Sequence, residues 1–142
     1  MVNACSGSPE TSPENTPKST VAAPEKPVIA QSVTPAMRGK TLFTRCKSCH
    51  TLEQGGRHKV GPNLWEIIGS EAGARDGFAY SSAMSDTDIV WTLETLSAYL
   101  ENPRKYLPGT RMSYAGLRKI EDREALLTYL AEQTQIANDE AK

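Results

Sequence analysis

The stretch CKSCH, from Cys46 to His50, constrains this chain more than any other. Two thiols stand three residues apart, and an imidazole follows the second directly. The 142-residue chain has one other cysteine, Cys5, and one other histidine, His58. Three cysteines at 5, 46 and 49 do not make a disulfide framework.

Three chemistries use paired cysteines at this spacing. A structural zinc site needs four ligands in a tetrahedron. Cys46, Cys49 and His50 offer three, but the consecutive Cys49 and His50 crowd one metal. The fourth would have to be His58 or the remote Cys5. A thioredoxin-like redox pair expects a βαβ setting, and no segment here gives a run of strand alternation. Covalent haem attachment is the standing reading of C-x-x-C-H. The two thiols add to the haem vinyl groups, and the adjacent histidine lies beneath the iron. This reading fits the spacing best.

The rest of the chain agrees with it. Residues 1–35 hold six of the nine prolines and no aromatic residue. Such a segment cannot offset the entropy of ordering itself and reads as a flexible linker. A short polar tail is expected over 134–142, leaving 36–133 as the folded unit. Within it, helices are predicted over 36–47, 92–101 and 119–133, with shorter ones at Asn63–Ile68 and Pro103–Tyr106. Met37 is expected to pack. Leu93, Leu96, Tyr99 and Leu100 share one face; Ile120, Leu126, Leu127, Tyr129 and Leu130 form a stripe. Glycines and prolines between these elements mark many loops. Helices so short bury little alone, so a large planar cofactor suits the core. The 16 basic and 17 acidic residues nearly balance, which argues against bulk nucleic-acid binding. No apolar run approaches the roughly 18–20 residues of a membrane span.

A haem iron has a sixth position. Filled by methionine sulfur, the site transfers electrons; open, it can bind gases or peroxide. Met37, Met84 and Met112 are candidates. Met112, in YLPGTRMSYAG beyond Pro108-Gly109, is favoured modestly on spacing.

At these residues the sequence resembles the class I cytochromes c of the mitochondrial and bacterial short-chain type. The likeness spans about 36–131. It rests on GKTLFTRCKSCHTLEQGGRHKVGPNL, GFAYS, Trp91, TLSAYLENPRKYLPGTRMSYAGL and EDREALLTYL in register. It implies an all-α, loop-rich fold with N- and C-terminal helices packed together around one covalent haem c. Cys46 and Cys49 would form the thioethers, with His50 and Met112 as axial ligands. Pro62 would accept from the other His50 nitrogen. Tyr99 would reach the Met112 sulfur, with Thr110 nearby. Tyr80 and Trp91 would hold a haem propionate. Gly39 and Phe43 would pack against Leu126 and Tyr129. Ser70 stands where the family usually carries an arginine that counters a propionate, Met84 where it often has asparagine, and Tyr114 replaces a common phenylalanine.

The implied function is a monohaem electron carrier, not an enzyme. It would run between a quinol-oxidising cytochrome bc complex and a terminal oxidase, or between photosynthetic complexes, as a monomer with no small-molecule substrate. The competing reading is a haem enzyme or ligand sensor with a labile sixth position. Arg45, Lys47, Arg57, Lys59, Arg104, Lys105, Arg111, Arg118 and Lys119 flank the haem segments and would form a docking ring for acidic redox partners. Finally, Cys5 in MVNACSGS resembles a bacterial lipoprotein processing site, although only four residues precede it. Lipidation there would tether the haem domain to a membrane on the periplasmic side. About 30 linker residues would give it a reach near 30 Å.

Overall fold

The computed structural model describes residues 33–135, with side chains through Thr134. Cys5, nearly all of the linker expected over 1–35 and most of the tail expected over 134–142 lie outside the described residues.

Five helices form among the described residues: α1 (Pro35–Phe43), α2 (Ser82–Ser85), α3 (Leu93–Glu101), α4 (Pro103–Tyr106) and α5 (Ile120–Gln135). No described helix is long and apolar enough to cross a membrane. Four of these starts have a local cap. Thr34 accepts from the Met37 amide, and Pro35, needing no N–H partner, opens α1. Thr92 and Thr95 cap α3 reciprocally. Asn102 is extended, as the residue before a proline prefers. It ends α3 and caps α4 in one step, accepting from the Lys105 amide.

The helix predicted over 36–47 stops at Phe43. Beyond it the bonds tighten to three-residue spacing, with Thr44 N to Thr41 O, Arg45 N to Leu42 O and Cys46 N to Phe43 O. No helix forms at Asn63–Ile68. The Asn63 side chain captures the Trp65 amide, and Glu66 sits at φ 51°, which breaks any helical run. Ser81 caps α2, a turn of helix where the polar pattern predicts only a loop. Among the described residues no strand forms. Glu71 and Val90 make an isolated antiparallel bridge, flanked by Ala72 N to Ile89 O and Trp91 N to Ser70 O.

The core sits where α1 and α5 cross and α3 leans on α5. Phe43, Leu96, Tyr99, Leu100, Leu126, Leu127, Tyr129 and Leu130 are buried there with Trp91 and Ile67. The crossing is close because position 39 is glycine: a Cβ there would run into the Ala125 carbonyl and lie 2.5 Å from Tyr129 Cβ. Phe43 and Tyr129 stack with centroids 5.7 Å apart, and Arg38 pairs with Asp122 across the same face. Three residues expected inward face out: Met37 is 58% exposed, Leu93 47% and Ile120 53%. Each lies in the first turn of its helix, where the neighbouring helix no longer covers the apolar face. Arg123, only 7% exposed, ties α5 to the rest. It donates to Ser97 Oγ at 3.0 Å and to the Leu117 and Arg118 carbonyls at 2.8 Å each.

Candidate functional site

Directly after α1, the chain turns twice through CKSCH. The Cys49 and His50 amides both bond the Cys46 carbonyl, at 3.0 and 2.8 Å. These turns keep both thiols and the imidazole within one coil of backbone. Both thiols are free and half-buried. Burial, then the neighbouring Cys49, pushes the Cys46 thiol up to about 11 against the pull of Arg45. At neutral pH the unmodified group is therefore a thiol.

His50 is fixed on two sides. Its Nδ1 lies 2.7 Å from the Pro62 carbonyl, which can only accept, so the proton sits on Nδ1. Gly61 lies flat against the ring: a Cβ there would collide with it, within 2.7 Å of Nδ1. Burial pushes the His50 pKa below its ordinary value, the Pro62 bond opposes this, and the Lys59 charge adds to it. The ring is neutral at pH 7 with its lone pair on Nε2, the form that binds a metal.

The wall holding Pro62 is stitched by two residues that carry no sequence signal for this task. Asn63 is 6% exposed. Its side-chain amide donates to Thr51 Oγ1 at 2.8 Å and to the Glu53 carbonyl at 3.0 Å. His58 accepts from the Asn63 amide at Nδ1, and its Nε2 meets the Asp76 carbonyl at 2.8 Å. Both ring nitrogens are thus engaged with backbone, which removes His58 as a zinc ligand. Among the described residues no group of three or more His, Cys, Asp or Glu side chains could hold a metal ion.

Opposite in sequence stands the loop of Met112. Pro108-Gly109 makes a turn closed by Thr110 N to Leu107 O at 3.1 Å, with Gly109 at φ 92°. That is the turn type in which proline precedes a left-handed glycine. The Tyr99 hydroxyl reaches both Thr110 Oγ1 at 2.8 Å and Met112 Sδ at 3.7 Å. Arg111 donates to the Ala79 carbonyl and so pins the loop to the segment bearing Tyr80. Trp91 is buried against Tyr99, centroids 5.0 Å apart, whereas Tyr80 is half-buried against Phe78 at 4.8 Å. Arg45, Arg57, Lys59, Arg104, Lys105, Arg111, Arg118 and Lys119 are all exposed.

The donor set suits haem on two observations. A neutral imidazole with one nitrogen spent on a carbonyl follows two free thiols, and two buried nitrogens of Arg75 have no partner among the described residues. A carboxylate-bearing planar group meets both needs.

Known proteins point the same way. A family model for cytochrome c matches residues 36–134. A cytochrome c of Kluyveromyces lactis is 49% identical over 94 residues, covering 66% of this chain and 86% of the relative. One from Arabidopsis thaliana is 46% identical over 101 residues, 70% of this chain and 90% of the relative. One from Chlamydomonas reinhardtii is 47% identical over 98 residues, 68% and 88% respectively.

Proposed function

The chain belongs to the cytochrome c family, and from that premise we propose how its residues serve the haem electron carrier that such a protein is. Its fold is the all-α class I fold, and the family carries one covalently attached haem c. In the reading we propose, Cys46 and Cys49 would form the thioethers, and His50 Nε2 and Met112 Sδ would hold the iron. When bound, the haem would supply a one-electron redox centre, and the residues holding its iron would tune the potential.

The observation that carries the reading is His50. Its Nδ1 is consumed by Pro62 and its ring is backed by Gly61, so only Nε2 remains, on the residue that directly follows the second of two free thiols in the chain. In the loop after α4, the Tyr99 hydroxyl reaches the Met112 sulfur. A hydrogen bond to the thioether orients one lone pair and leaves the other for a metal. No residue here needs to break a substrate bond.

The test is the ferric spectrum of the matured protein. Six-coordinate low-spin iron with a methionine–iron band is expected, and Met112→Ala should abolish that band. A high-spin spectrum in the parent would favour a haem enzyme or ligand sensor. An unchanged band in Met112→Ala would remove Met112 from the iron.

Beyond the domain, the reading extends to place and partners. It takes the protein as a monomer serving a cytochrome bc complex and a terminal oxidase, or photosynthetic complexes, on the periplasmic side. Cys5 would be its lipid anchor. This rests on the MVNACSGS stretch and the composition of residues 1–35. An intact mass of natively matured protein should show one haem and an added diacylglyceryl-type group, with cleavage before Cys5. Haem without lipid would reject the tether, and no haem would reject the attachment.

A further inference from the structure

Arg75 holds an unpaid debt in charge. Its Nε and Nη2 are buried and have no hydrogen-bond partner among the described residues. A guanidinium cannot escape by losing its proton. Burying a charge without a partner is strongly disfavoured. The ion pairs among the described residues are Arg38 with Asp122 and, weakly, Arg123 with Glu101, so neither involves Arg75. The acidic side chains nearest in sequence, Glu71 and Asp76, belong to exposed residues. An anion from outside the polypeptide is therefore what this group is built to meet.

The surroundings say which anion. Tyr80 lies alongside: the Arg75 amide and charge both act on its hydroxyl, lowering a pKa that burial raises. Tyr80 also packs edge-on against Phe78, whose ring lies 5.5 Å from that of His58. The setting is a half-buried cation, with two of its nitrogens buried, beside a hydroxyl and an aromatic wall. It suits a carboxylate carried on a flat apolar body, and haem bears two carboxylates on one edge.

We infer that Arg75 is a positioning residue that pairs with a haem carboxylate beside Tyr80. This rests on the attachment of haem at Cys46–His50. The planar fork of the guanidinium can offer Nε and Nη2 together to the two oxygens of one carboxylate. Two consequences follow. The cation keeps the carboxylate ionised to low pH. It also opposes the extra positive charge of the ferric state, which raises the reduction potential.

The experiment compares the haem-loaded parent with Arg75→Gln and Arg75→Lys. It reads the reduction potential against pH and the titration of the haem carboxylates by NMR or infrared spectroscopy. In Arg75→Gln the potential should fall and gain a pH-dependent step between about pH 5 and 8, as the freed carboxylate titrates there. Arg75→Lys should restore most of the potential while still shifting the carboxylate signals, because the ammonium is not a fork. Should Arg75→Gln fail to fold, the carboxylate shift in Arg75→Lys decides alone. Carboxylate titrations matching the parent in the folded variants would overturn the inference. A parent lacking haem mass and spectrum would overturn the attachment reading first, before any variant is compared.

Discussion

At the residue scale, Tyr80 shows opposed forces on one group. Burial raises its pKa above the ordinary phenol value, while the Arg75 amide and charge pull it back, and burial wins. The folded chain therefore holds this proton more tightly than the unfolded chain does. Stability from it is complete below about pH 10 and is lost as pH climbs through the folded value. Tyr80→Phe should accordingly flatten the fall of unfolding free energy above pH 10, measured by denaturant melts at stepped pH. An equal slope in parent and variant would reject this assignment. At this scale the sequence is partly legible. The two thiols and His50 are adjacent in the chain, so their grouping needs no tertiary knowledge. Pro62 as the Nδ1 partner is reached only through resemblance. That Arg75 has two orphaned nitrogens, or that Asn63 and His58 brace the wall, depends on segments brought together from far apart. No local pattern encodes it.

At the scale of elements, the α1–α5 crossing is decided by one missing side chain. Gly39→Val would place carbon against the Ala125 carbonyl and Tyr129 Cβ. Backbone cannot rotate away as a long side chain can, so the helices must part. The cost should be about 1–3 kcal/mol or more, read as a lower denaturant midpoint with an unchanged slope. A midpoint equal to the parent's would mean the crossing has slack. Elements with local start and stop signals were legible: Thr92 and Asn102-Pro103 bound α3, and α4 starts on its proline. Asn63–Ile68 was not, because its apolar spacing suits a helix while the Asn63 turn and left-handed Glu66 forbid one. Leu93 and Ile120 keep helical spacing yet face out. Periodicity gives the face, but only a neighbour's length decides where coverage ends.

At the scale of the whole molecule, charge matters by placement. The net charge is −1 at neutral pH, so no bulk attraction draws this chain to an acidic partner. In the proposed docking, steering would come from exposed bases acting locally: Arg45, Lys47, Arg57, Lys59, Arg104, Lys105, Arg111, Arg118 and Lys119. Lys59 and Arg111 also bond backbone carbonyls, Lys47 O and Ala79 O, which fixes where those two charges sit. The electron-transfer rate with an acidic partner should fall as ionic strength rises, since the screening length shrinks to about 8 Å near 0.15 M salt. Lys105→Glu should weaken that dependence. A rate flat against salt would leave these residues as an ordinary solvated surface. The crossing of α1 and α5 has one more consequence, visible in polymer terms. Cys46 and Met112, with every other proposed haem contact, lie in the chain between those helices, which is thus a loop tied at its base. Each tie within it then joins points connected by two chain paths, whose ends lie closer on average than in an open chain: Gly116 against Glu101, Arg111 to Ala79, His58 to Asp76. Because the entropy lost on closure grows with the logarithm of loop length, one knot at the root lowers the cost of every knot above it.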